Sequence, residues 1–191
     1  MKSFEDYIQA ASKNGRPPRP GIVLGVRMCL VALKRLEIDD PNKHKRSLVV
    51  VAETDRCLPD AIQLVTGCRL ANRTLKLRDM GKMAASFVDL ATNRAVRVAA
   101  RESANERSAA EYPELDRLEA LARAYRTFPD EKLFRADWVK VQLQPEDVPG
   151  SHFQRVVCEQ CGEGIGFHRE VRMGGRILCR ACAGDSYYEL L

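Results

Sequence analysis

Near its C-terminal end the chain carries two Cys-x-x-Cys pairs, Cys158 with Cys161 and Cys179 with Cys182, separated by 17 residues. No other feature limits what the chain can fold into so sharply. Each pair makes a tight knuckle that points two thiolates the same way, and two such knuckles complete a tetrahedral zinc site. Between them, "HREVRMGGRILC" reads as two short strands joined at Gly174-Gly175, a two-residue hairpin signal. Knuckle, hairpin and knuckle form a zinc ribbon. About 30 residues cannot bury a sufficient core, so the metal is expected to supply the folding energy. Four protein ligands leave no open coordination position, which makes the expected zinc structural. A thioredoxin-like centre needs one such pair in a strand–helix context, and an iron–sulfur centre, although compatible with four thiolates, fits a ribbon less well. His152 and His168 are expected at the surface, not on the metal.

The compartment bears on the same cysteines. The opening, "MKSFEDYIQAASK", has no apolar run after its first charges, so no secretory signal is expected. No window approaches the roughly 18 apolar residues of a membrane span. A soluble, cytoplasmic chain is the expectation, and cytosolic thiols stay reduced, which disfavours a disulfide clamp. The 191 residues suffice for one main domain, expected over residues 1–150, with the ribbon over 151–191. Net charge is +5 over residues 1–50, +3 over 51–100, −3 over 101–150 and zero over 151–191. A ribbon that binds nucleic acid normally carries a basic face, so the neutral tail argues against that role.

Ser3 and Asp6 predict a capped helix of about ten residues with Phe4, Tyr7, Ile8 and Ala11 on one face. After the loop "KNGRPPRPG", Pro20 starts a long apolar helix bearing Ile22, Val26, Cys29, Leu30 and Leu33. Gly21 and Gly25, one turn apart on it, read as a close-packing surface. "SLVVVAET" is a buried strand. Pro59 opens a short helix closed by Gly67. "RTLKLRD", "AASFVDLA" and "RAVRVAAR" read as strands, the last two turning at Thr92-Asn93. "PELDRLEALARAYRTF" is an amphipathic helix with Leu115, Leu118, Leu121, Ala122 and Tyr125 inward. "DEKLFRA" reads as a helical turn or two and "DWVKVQL" as a last strand. The fold class is α+β, a mainly antiparallel sheet packed with helices plus the small four-cysteine ribbon. No glycine-rich phosphate cradle is present.

The segment "AETDRCLPDAIQLVTGCRL" gathers Asp55, Cys57, Asp60, Gln63, Thr66 and Cys68 where a buried strand turns into a helix. Cys57, just before the expected helix start, is placed where the dipole and free N–H groups favour a thiolate. Asp60 serves either as a catalytic acid or as a favourable charge in the first turn. Cys57 and Cys68 read equally as small buried hydrophobes. A helix over 59–66 is about 12 Å long, so the two cysteines sit at its opposite ends, too far apart for a disulfide or a shared metal.

"CLPDAIQLVTGC", then "LKLRDMGKMAASFVDLATNRAVRV", with Asp79, Gly81 and Lys82 within it, and then the four-cysteine ribbon together resemble the FmdE family of formylmethanofuran dehydrogenase proteins over nearly the whole chain. The resemblance implies a dimeric α+β core and association with a molybdenum or tungsten enzyme that reduces carbon dioxide onto methanofuran. It also marks a departure. The family's loop before the long helix usually reads His-Gly-His-x-Cys-Pro-Gly, and here it reads "GRPPRPG". Pro17 stands at the second histidine and Arg19 at the cysteine. The resemblance therefore implies loss of a core metal or catalytic His/Cys pair, while Arg16 and Arg19 turn the same pocket toward an anion.

Two readings follow. One is a non-catalytic, homodimeric binding or accessory subunit with a structural zinc and a molybdenum or tungsten oxidoreductase as partner. The other is an enzyme using Cys57, with Asp60 as acid or base, on a small anionic or one-carbon-related substrate. A nucleic-acid-binding ribbon protein is a weaker third, kept open only by the basic first hundred residues.

Overall fold

The computed structural model describes residues 2–12, 14–44, 46–150 and 154–189. The chain forms two compact units, Met1–Gln142 and Leu143–Leu191. Residues 143–150, expected at the end of the core, group with the second unit.

The first unit opens with α1 (Phe4–Ala11), held by a capping box in which Ser3 accepts from the Asp6 N–H and Asp6 accepts from the Ser3 N–H. Next comes α2 (Pro20–Arg35), with Pro20 in the first turn, where no N–H is needed. Strand β1 (Leu48–Ala52) leads into α3 (Cys57–Thr66), which ends on Gly67 in the left-handed conformation at φ 71°. The sequence puts the start of this helix at Pro59. It begins two residues earlier because proline is tolerated throughout a first helical turn, where its missing N–H costs nothing. Cys57 is thus the first helical residue.

Strands β2 (Leu75–Leu77), β3 (Ala84–Asp89) and β4 (Arg94–Ala100) follow. The β3–β4 turn contains Asn93 at φ 54°, as the Thr92-Asn93 signal predicts. Helix α4 (Ser103–Glu111) has no counterpart among the elements expected from sequence. It is polar all round, with only Ala104 and Ser108 buried, so its hydrophobic periodicity is weak. Helix α5 (Arg117–Thr127) is capped by Asp116, which accepts from the N–H groups of Leu118 and Glu119. It buries Ala120, Leu121, Ala124 and Tyr125. Leu118, expected inward, is 64% exposed, and Ala122 and Leu115 are only half-buried. The inward stripe is set by the two alanines, whose small side chains let the helix approach its neighbours.

A single turn, α6 (Asp130–Leu133), then runs into β5 (Phe134–Trp138). The last strand therefore lies ahead of the expected "DWVKVQL". Its alternation explains the placement, because Phe134 and Ala136 meet the core while Arg135 pairs with Asp137 at 2.8 Å.

The sheet order is β2-β1-β3-β4-β5. All pairs are antiparallel except β1–β2, which α3 connects as a parallel crossover. The fold is α+β as expected, with this one parallel pair added. Leu48, Val50 and Ala52 of β1, Phe87 of β3 and Val96 and Val98 of β4 share one core with the inner faces of α1, α2, α3 and α5. Val49, Ser86 and Val88, which alternate to the opposite face, are buried too. Arg27 of α2 donates to the Phe128 and Tyr125 carbonyls and pairs with Asp130, which fixes α2 to the end of α5.

The second unit consists of two short antiparallel pairs. Strands β6 (Val156–Val157) and β7 (Gly164–Ile165) form one, and β8 (Val171–Met173) and β9 (Arg176–Leu178) the other. Gly174 and Gly175 have φ 59° and 79°, both positive as a two-residue type I′ turn requires. The fully buried apolar interior here is Cys158, Ile165 and Leu178. Three residues are far too few to hold a fold by burial alone.

Candidate metal centre and candidate ligand cleft

In the second unit the two knuckles bring Cys158, Cys161, Cys179 and Cys182 together, with all four Sγ atoms within 4.8 Å of one another. The Cys161 and Cys179 sulfurs are 3.9 Å apart. Four sulfurs on a tetrahedral zinc at about 2.3 Å stand about 3.8 Å from each other, so the cluster has the right size. Backbone N–H groups support the sulfurs. Cys179 donates to the Cys158 Sγ at 3.2 Å and Cys182 to the Cys179 Sγ at 3.4 Å. Backbone hydrogen bonds from Cys161 and Cys179 lower Cys158 to about 6, whereas the Cys179 thiol beside it pushes Cys182 up to about 12. Four sulfurs this close cannot all ionise without a cation among them, and a divalent metal with thiolate affinity fits. His168 is exposed beside Glu170, with its Nδ1 3.7 Å from the carboxylate, and is not part of the cluster. His152 lies outside the described residues.

In the first unit, a cleft of about 860 Å³ lies among the end of α1, the loop before α2 and the outer face of α3. Cys57, Asp60, Gln63 and Leu64 follow one another at helical spacing and all line it. The other face of the same helix buries Leu58, Ala61, Ile62 and Val65 in the core. The loop contributes Arg16, Pro17, Pro18 and Arg19. The cleft forms where it does because α2 and α3 touch at their first turns. A Cβ on Gly21 would meet the Cβ and Sγ of Cys57, and one on Gly25 would meet the Cβ of Ala61. Glycine at both positions lets the helices approach at their N-termini. Neither helix has a side-chain cap there, since Arg19 and Arg56 make none.

Five of the residues singled out from sequence therefore converge on the cleft: Arg16, Arg19, Cys57, Asp60 and Gln63. The other three do not line it. Asp55 is exposed in the turn before α3. Thr66 is buried and structural, with its hydroxyl donating to the Ile62 carbonyl at 2.6 Å and accepting from the Cys68 N–H at 3.1 Å. Cys68 is buried beyond the far end of α3, where its thiol faces the Leu48 carbonyl at 3.5 Å and burial raises its pKa. Cys57 and Cys68 thus stand at opposite ends of the helix. Asn14, Ile22 and Leu64 line the cleft without having been singled out. Helical spacing from Cys57 would have found Leu64, but the other two depend on how the loop folds.

A second polar feature is not visible in the sequence pattern. Glu53, 7% exposed at the end of β1, accepts from Arg97 of β4 through both carboxylate oxygens, at 2.6 and 2.7 Å. Both residues sit inside strand patterns where a charge looks incidental.

A helix-covered, mainly antiparallel sheet with a polar cleft at two helix N-termini, joined to a four-cysteine ribbon, defines a two-module zinc-binding protein. Residues 19–135 match the family model described as FmdE, molybdenum formylmethanofuran dehydrogenase operon, and the chain belongs to that family. Residues 152–188 match the prokaryotic dksA/traR C4-type zinc finger, in agreement with the four-cysteine cluster. A solved structure, that of an FmdE-like protein of tungsten formylmethanofuran dehydrogenase from Syntrophus aciditrophicus, is 28% identical. It superposes with a TM-score of 0.65 and covers 99% of this chain and 96% of its own. A probable S-adenosyl-L-methionine-binding protein of Archaeoglobus fulgidus is 27% identical over 194 residues, which cover 90% of this chain and 50% of that protein. The chain thus spans about half the length of that relative. No described helix is long and apolar enough to cross a membrane.

Proposed function

We propose that this chain is a non-catalytic, homodimeric binding or accessory subunit of the FmdE type, with the zinc of its ribbon in a structural role. Its setting is the cytoplasm, where the four thiols stay reduced, and its partner is a molybdenum or tungsten oxidoreductase. The observation that carries this reading is the composition of the cleft. It offers hydrogen-bonding and charged groups, but no histidine among its described lining residues and no base hydrogen-bonded to Cys57. A thiol with no base is poorly equipped for covalent turnover, whereas a polar cleft of this volume suits a bound small molecule. The neighbour from Syntrophus aciditrophicus supports the link to the oxidoreductase by its name alone. The apolar length of α2 supports a dimer. Multi-angle light scattering tests it, with a dimer mass expected and a monomer across a wide concentration range counting against it.

The alternative, an enzyme with Cys57 as nucleophile and Asp60 as acid or base, rests on both residues facing one cleft. Turnover abolished by Cys57→Ala in a well-folded variant would favour it. The relative from Archaeoglobus fulgidus adds a ligand to test, since S-adenosyl-L-methionine carries the carboxylate and amine that Arg16, Arg19 and Asp60 would pair with. Calorimetric titration with S-adenosyl-L-methionine decides whether the cleft takes it.

A further inference from the structure

The cleft collects polar groups that the fold itself does not use. Arg16, Arg19, Asp60 and Gln63 all line it, and none of their side chains makes a hydrogen bond or ion pair with another described residue. This contrasts with Arg27, Arg97 and Arg126 of the same unit, each paired with a carboxylate. Two further sources of positive potential open at the same place. The first turns of α2 and α3, helices of 16 and 10 residues, meet where Gly21 touches Cys57. Their N–H groups are left without side-chain caps, unlike those of α1 and α5. Two guanidinium groups and two helix N-termini outweigh the single carboxylate of Asp60.

We infer that the cleft binds a small ligand through an anionic group, a carboxylate or a phosphate, seated against Arg16 and Arg19 at the N-termini of α2 and α3. Asp60 and Gln63, one and two helical turns further along α3, face the remainder of that ligand. Ile22 and Leu64 supply apolar wall for its carbon skeleton. Asp60 opposes the anion and so selects for ligands that carry a hydrogen-bond donor on their far side. This inference rests on the binding-subunit reading above and names the ligand class for the same cleft.

The test is amide chemical-shift titration of isotope-labelled, zinc-loaded protein at low ionic strength, with inorganic phosphate in one arm and succinate in the other. Saturable shifts at Gly21, Ile22, Cys57 and Leu58 are expected from at least one probe. A phosphate-only response assigns a phosphoryl ligand and a succinate-only response a carboxylate. The double variant Arg16→Ala/Arg19→Ala should weaken the binding by about tenfold or more, with the sheet amides unmoved. Asp60→Asn should strengthen it severalfold, because a like charge is removed. That gain is one a merely structural Asp60 would not produce. No saturable shift from either probe overturns the inference, as does binding indifferent to loss of both arginines or weakened by Asp60→Asn. Light scattering and zinc content on the same samples keep the two readings apart. A zinc-loaded dimer that ignores both anions loses the ligand class and keeps the accessory role.

Discussion

Gly21 of α2 lies so close to Cys57 of α3 that a Cβ on the glycine would stand 3.1 Å from both the Cβ and the Sγ of the cysteine. One turn further, a Cβ on Gly25 would stand 2.6 Å from the Cβ of Ala61. The two contacts set the approach of the helices and thereby the mouth of the cleft. They also give Cys57 a packing role that is independent of any chemistry.

The Gly25–Ala61 contact sits between two rigid helices, and neither methyl can rotate away. Gly25→Ala gains helix propensity but overpacks the contact, and a net loss of about 1–2 kcal/mol is expected in urea unfolding. Gly21→Ala meets a side chain that can turn, so its stability should stay within about 1 kcal/mol of the parent. Equal effects at the two glycines would contradict rigid packing at Gly25.

The three cysteines outside the ribbon differ sharply in access. Cys29 is fully buried and its thiol is pushed far up by desolvation, and Cys68 is 4% exposed. Cys57 is half-buried at the edge of the cleft. With zinc bound, an aromatic disulfide reagent should modify Cys57 alone among the three at native conditions, and Cys29 and Cys68 only after denaturant is added. Peptide mapping by mass spectrometry reads the outcome.

Zinc content tests the ribbon. Plasma mass spectrometry should return about one zinc per chain, held by Cys158, Cys161, Cys179 and Cys182. Cys161→Ser should remove most of it and expose the stretch from Pro145 to Gly150 to protease. The first unit, with its own apolar core, should keep its helical signal. A second metal surviving that variant would place a further site in the core.

Glu53→Gln leaves the Arg97 guanidinium, 31% exposed, facing a weaker acceptor inside the sheet. A loss of about 1–3 kcal/mol in thermal or urea unfolding is expected. Removing both groups, as Glu53→Gln with Arg97→Met, should cost less than the two single changes added together, because no unpaired charge remains.

Much of this protein was legible locally. The ribbon follows from four cysteines at fixed spacing and a Gly-Gly turn, since metal geometry and positive φ leave few alternatives. The Ser3 cap, Pro20 at the start of α2, Gly67 at the end of α3 and the β-branched run of β1 acted where each residue's own chemistry is decisive. Five cleft residues were legible because they cluster at one strand–helix junction and in one loop. Other features were settled only by the assembled core. Leu118 points to solvent because Ala120 and Ala124 let α5 approach its neighbours, and helical period alone does not choose between those stripes. Helix α4 forms without an apolar face because it leans on α5, where Asn105 accepts from the Tyr125 hydroxyl at 2.9 Å. Thr66 and Cys68 leave the candidate site because α3 separates its ends, and Glu53 finds Arg97 across a sheet, 44 residues away in the chain. Sequence determines what a residue does with its neighbours in the chain. Which distant groups it meets depends on how helices and strands fill one shared interior, and no short window of sequence contains that information.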